Sequence, residues 1–142
     1  MKSTFVILIL AFSLSAFSQK KCNCNNLKTG VFELYENDKK IGLVFRKNNY
    51  QIEKYFDSDQ FTIGKIKSKK CIFSLKSNEI KKDIDSVTWS LNYKEISAKH
   101  YSFIIKPKYL NVDYSYKGEI KKISNKIKNK EVLEIFTKLK HK

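Results

Sequence analysis

The sequence predicts an all-β protein: an antiparallel meander of about eight strands closed into a barrel or half-barrel, followed by a C-terminal amphipathic helix. Three observations lead there. From Gly30 to Gly118 short runs alternate apolar with polar residues, the period of a strand with one face in a core. Turn residues separate the runs at short intervals, and short links join antiparallel neighbours, since a parallel crossover needs a dozen or more residues. Beyond residue 120 the periodicity changes from two to that of a helix.

The strands follow in order. Gly30 ends a polar run and precedes Val31-Phe32-Glu33-Leu34-Tyr35, so it reads as the joint from which a first strand departs. Asn37-Asp38 turns the chain into 41–45, where Ile41, Leu43 and Phe45 are expected on one face. Lys47-Asn48-Asn49 leads into 50–55, Asp57-Ser58-Asp59 into 61–66, and Ser68-Lys69-Lys70 into a strand begun by Cys71. Gly42 and Gly64 lie inside strands, as expected of bends or bulges that let a sheet curl. Val87, Trp89, Leu91 and Tyr93 alternate with polar residues, and Tyr101, Phe103 and Ile105 repeat the pattern up to Pro107. Leu110, Val112, Tyr114 and Tyr116 form the eighth run, which Gly118 ends. Closure of such a meander removes the Tyr- and Phe-rich edges that an open sheet would expose.

The tail, 121–142, carries eight lysines, with Val132, Ile135, Phe136 and Leu139 at helical spacing. Asn125 or Asn129 can cap the helix, and Glu131 and Glu134 near its start with Lys138 and Lys140 near its end suit the helix dipole. Its apolar stripe is expected to dock on the barrel, the alternative being an anionic membrane surface.

At the other end, Lys2, the apolar run 5–14 and the small residues Ala16 and Ser18 have the form of a secretory signal peptide, with cleavage expected after Ser18. The organisation read from the sequence is therefore 1–18 signal peptide, 19–120 β domain and 121–142 basic helix, the mature chain being exported to a periplasmic or extracellular compartment. Export permits disulfides. Three cysteines are present, Cys22, Cys24 and Cys71, and from the residues alone Cys22 and Cys24 compete for one partner.

Cys24, Lys28-Thr29-Gly30, Phe32, then Gln51 and Glu53, then Cys71 together resemble a group of small exported β proteins of unknown function with a Cys-x3-Lys-Thr-Gly-x-Phe opening and a later cysteine. The likeness covers about 24–75. It implies a small β fold and a Cys24–Cys71 disulfide, with Cys22 free or paired between chains, and it implies no activity. A bond closing the loop from residue 24 to residue 71 would contribute about 4 kcal/mol on the chain-entropy view. In lipocalin-type carriers a Gly-x-Trp lies on the first strand; Gly30-Val31-Phe32 has phenylalanine there, so the likeness to them is one of architecture.

Few residues suggest catalysis. His100 and His141 are the two histidines, neither in a nucleophile motif, and His100 is expected at a strand start on the rim or surface. Asp57/Asp59 and Asp83/Asp85 lie in predicted turns, where aspartate bonds its own backbone. Glu33 and Glu53, both on strands, form a pair only if both point inward. The four glycines are dispersed, leaving no phosphate-cradling loop, and the cysteines with distant histidines give no zinc spacing. The chain is read as non-enzymatic, with no cofactor and no metal.

Two expectations for function remain. Aromatic residues make up 13% of the chain, and Trp89, Tyr93, Tyr114 and Tyr116 are the candidates to line a cavity for an apolar or amphiphilic ligand. Alternatively, the net charge of +15 suits an anionic envelope surface or polymer. Specific nucleic-acid binding is not expected, because Arg46 is the only arginine and phosphate readers favour the arginine fork.

Overall fold

The computed structural model describes residues 24–77, 88–108 and 113–141. Eight antiparallel strands form a closed barrel in sequence order: β1 (Gly30–Glu36), β2 (Lys39–Lys47), β3 (Tyr50–Tyr55), β4 (Phe61–Lys69), β5 (Ile72–Ser77), β6 (Thr88–Ser97), β7 (His100–Pro107) and β8 (Tyr116–Ser124). A short 3-10 helix, Cys24–Leu27, precedes β1, and α1, Lys130–Lys140, follows β8. Closure comes from β1 pairing with both β2 and β8, with Leu34 opposite Gly42 on one side and Ile120 on the other.

The turns explain the meander. Asn37 and Asp38 both adopt positive φ (47° and 62°), as do Asn48 and Asn49 (52° and 64°), each pair joining strands whose flanking residues, Glu36–Lys39 and Lys47–Tyr50, are opposite one another. Two-residue hairpin turns of this twist require the left-handed region, which Asn and Asp tolerate better than other side chains.

Burial differs between the two halves of the barrel, for one reason. On β6 and β7 only alternate residues are buried, among them Leu91, Tyr93, Tyr101 and Phe103, because the outer face there meets solvent. On β1 to β3 consecutive residues are buried, such as Val31-Phe32 and Val44-Phe45-Arg46, because α1 covers the outer face. Val132 and Phe136 of α1 are buried against Val31, Phe45 and Ile52, with Ile135 and Leu139 partly buried beside them. The apolar stripe of the tail is thus spent on the barrel wall. The helix starts at Asn129, whose side-chain Oδ1 accepts from Val132 N at 3.1 Å. Asn129→Ala is expected to lower stability by about 1 kcal/mol, read from urea melts.

Three features of the strands differ from the sequence reading. Ile41 is skipped in the β1–β2 register, between Leu34↔Gly42 and Tyr35↔Lys40, and this bulge switches the face of the chain. Ile41 therefore packs with the barrel interior while Leu43 and Phe45 lie under α1, rather than all three sharing a face. The last strand begins at Tyr116 and runs through Gly118 to Ser124, so Gly118 lies inside it and the strand extends into the segment assigned to the tail. Of the run expected to form that strand, Tyr114 precedes it, and Leu110 and Val112 lie outside the described residues. Cys71 sits in the β4–β5 turn, one residue before β5. The signal segment, Cys22, Asp83 and Asp85 also lie outside the described residues.

One end of the barrel is plugged by the 3-10 helix, held from three directions. Cys24 is disulfide-bonded to Cys71 from the β4–β5 turn. Arg46 of β2 donates to Leu27 O at 2.8 Å, and Lys122 of β8 donates to Asn26 O at 2.8 Å. Leu27 is fully buried as a result. Gly30, with φ 121°, lets the chain leave the plug for β1: a Cβ there would lie 2.4 Å from Ser124 O and 2.7 Å from Lys122 Cε.

Candidate functional site

Between the plug and the opposite end the barrel holds a cavity of about 600 Å³, of the size that takes a small molecule. Its wall is built from the inward residues of the strands. Leu34, Val44, Leu91, Phe103 and Ile120 supply an apolar girdle, while Phe56 of the β3–β4 turn, Trp89, Ile105 and Tyr114 lie toward the open end. All four aromatics proposed from the sequence line this cavity, at different depths. Tyr93 is buried toward the plug, where Phe73 meets it edge-on with ring centroids 5.3 Å apart. Trp89 and Tyr114 form an edge-to-face pair at 5.9 Å near the mouth, and Tyr114 is half exposed. Tyr116 begins β8 and packs beside Phe103, at 6.2 Å.

The inner end of the cavity is polar, and the sequence reading did not anticipate it. Arg46, only 1% exposed, lies with its guanidinium carbon 5.2 Å from the Phe32 centroid, 4.9 Å from that of Phe73 and 5.2 Å from that of Tyr93. Such ring faces attract a cation, more strongly where water is excluded. Its Nε donates to Gln51 Oε1 at 2.7 Å, and its terminal nitrogens donate to Leu27 O and to the Tyr93 hydroxyl. Gln51 passes the chain on, its Nε2 donating to Glu53 Oε1, while Tyr55 donates to Glu53 Oε2 at 2.9 Å. A continuous string of hydrogen bonds therefore runs along the wall from the plug, through Arg46, Gln51 and Glu53, to Tyr55. Among the described residues no buried side-chain polar atom lacks a partner.

The signal for this cluster was present but unused. One arginine among 29 basic residues, placed directly after the apolar run 41–45, marks a place where lysine does not serve. Gln51 enters the sequence reading only through the resemblance, and Glu53 otherwise only as a possible partner of Glu33.

Other candidates are dispersed. Glu33 is on the outer face of β1, bonded by Lys40 at 2.6 Å and by Tyr35 OH at 2.7 Å, whereas Glu53 is on the cavity wall. The two carboxylates do not converge. The Lys40 and Tyr35 hydrogen bonds hold the Glu33 carboxyl below its ordinary range. His100 pairs with Glu119 at 2.7 Å at the start of β7, toward the plugged end. Of the turn aspartates, Asp57 lies at the cavity mouth.

Burial raises the phenols of Tyr93, Tyr55 and Tyr116, in Tyr93 against the pull of Arg46 and in Tyr55 with help from the Glu53 carboxylate. A raised phenol favours the folded state fully below the unfolded value of about 10 and progressively less as pH rises above it. Lys122 works the other way: burial and nearby Lys99 lower its pKa, so this contribution grows as pH approaches the unfolded lysine value. Above the unfolded lysine value Lys122 has no further effect, and the tyrosines alone set the trend. Stability in urea is expected to fall above about pH 10, with tyrosinate absorbance from the buried phenols appearing only as the chain unfolds.

In fold this is an eight-stranded antiparallel barrel with an outer helix, a plugged end and an internal cavity. No protein-family model, curated protein or solved structure matches the chain.

Proposed function

We propose that this protein is an exported, non-enzymatic binding protein that holds an apolar or amphiphilic small molecule inside its barrel. The observation that carries this reading is the cavity of about 600 Å³, walled by aliphatic and aromatic side chains and open opposite the plug. A core built only for stability would fill that space, since each void forfeits packing energy. The architecture supports it: a meander barrel plugged by a 3-10 helix at one end and open at the other. Export is supported by the leader-like first residues and is compatible with the Cys24–Cys71 bond. The likeness of 24–75 to small exported β proteins agrees with the same reading.

Trp89, the only tryptophan, stands at the mouth and reports occupancy directly. Titration with fatty acids, sterols and haem is expected to change its fluorescence for at least one class. The same ligand at a hundredfold excess over Kd should stabilise the protein by about 2.7 kcal/mol. Unchanged fluorescence and Tm across the panel would remove the carrier reading. The lysine-rich surface would then leave an envelope or anionic-polymer module, which would act through charge, because the apolar stripe of α1 is already packed on the barrel.

A further inference from the structure

We propose that the inner end of the cavity is a subsite for the carboxylate head of a single-chain amphiphile, received by Arg46, so that the ligand lies head inward with its apolar chain running toward Trp89. The inference rests on the carrier reading above and specifies the ligand's chemistry and direction.

Arg46 carries a full positive charge, is 1% exposed and contributes to the cavity wall. Its acceptors on the described residues are a backbone carbonyl, an amide and a phenol, all neutral. The described residues place no carboxylate in an ion pair with it. Glu53 stands one link further off, behind Gln51, and both of its oxygens already accept hydrogen bonds. A cation removed from water is costly unless an opposite charge approaches it. Here the balancing carboxylate is held at one remove.

The guanidinium has five N–H bonds in a planar fork, and three acceptors among the described residues meet it; the other two are the ones that a carboxylate would use. Phe32, Phe73 and Tyr93 hold the fork in place, so little ordering remains to be lost when an anion arrives. Outward from Arg46 the wall turns to Val44, Leu91 and Phe103, a lining suited to an alkyl chain. The lysines that line the cavity, Lys39 and Lys40, are at the opposite end. A carboxylate held there would give the reverse orientation.

The test uses the full mature chain and three probes of equal length at neutral pH: dodecanoate, dodecanol and dodecylamine. Calorimetry is expected to rank dodecanoate at least about tenfold tighter than dodecanol, the worth of one charge-assisted hydrogen bond, with the amine weakest. Bromine placed at the terminal carbon of dodecanoate should then quench Trp89 more strongly than bromine at carbon 2. Equal affinity for acid and alcohol, or preference for the amine, overturns the subsite. Stronger quenching from carbon 2 also overturns it, placing the head at the mouth lysines. If none of the three binds while a sterol or haem does, the subsite is wrong and the carrier stands; if nothing in either series binds, the carrier reading falls with it.

Discussion

Arg46→Met is expected to destabilise the barrel by about 3–5 kcal/mol, a large share of the 5–15 kcal/mol by which a domain of this kind is stable. Methionine keeps most of the stem and removes the fork. Leu27 O, Gln51 Oε1 and the Tyr93 hydroxyl each lose a charged donor at the buried inner end of the barrel, and an unmet buried polar group costs about 1–3 kcal/mol. The favourable contacts of a cation with three ring faces go as well. Arg46→Lys keeps the charge but not the planar fork, and should still lose at least about 2 kcal/mol. Urea midpoints of the two variants against the wild-type protein decide this. A loss below about 1 kcal/mol in Arg46→Met would show that the hydrogen-bonded string does not hold the inner barrel together.

Removing the disulfide is the second large effect. Cys24 and Cys71 are 47 residues apart in sequence, and closing a loop of that length should contribute about 4 kcal/mol, mainly by restricting the unfolded chain. The double variant Cys24→Ser/Cys71→Ser is expected to lose about 2–5 kcal/mol yet keep the barrel's circular dichroism, because Arg46 and Lys122 still hold the plug at Leu27 and Asn26. The same shift in urea midpoint should follow reduction of the wild-type protein. An unchanged midpoint would mean that the unfolded chain is restricted by something other than this bond.

Much of the wall was legible because its information is local. Alternation on β6 and β7 is visible in Leu91, Tyr93, Tyr101 and Phe103, since those strands have solvent on one side. The Asn-Asp and Asn-Asn turns announce themselves through the backbone angles they require. Trp89 and Tyr93 face inward for the same reason, since a residue's face follows from its neighbours once the strand is known, whereas Tyr114 lines the cavity from before β8. Where α1 covers β1 to β3, alternation is blurred, and there the sequence reading put Ile41 on the wrong face. Arg46 was missed because charge predicts exposure, and only its actual partners overturn that expectation.

By itself, then, the chain determined the eight-strand meander, the hairpin turns and the capped amphipathic helix. These depend on periods of two and 3.6 and on the φ each turn residue tolerates, all written within a few residues. The tertiary structure decided that β1 closes onto β8, that the last strand runs through Gly118 to Ser124, that Glu33 and Glu53 part company, and that Arg46 ends up inside. Each of these depends on register and bulges that relate residues distant in sequence, as Val31 is to Ser124. A one-residue change in that pairing would turn every side chain of a strand to its other face, and no local pattern records which pairing wins.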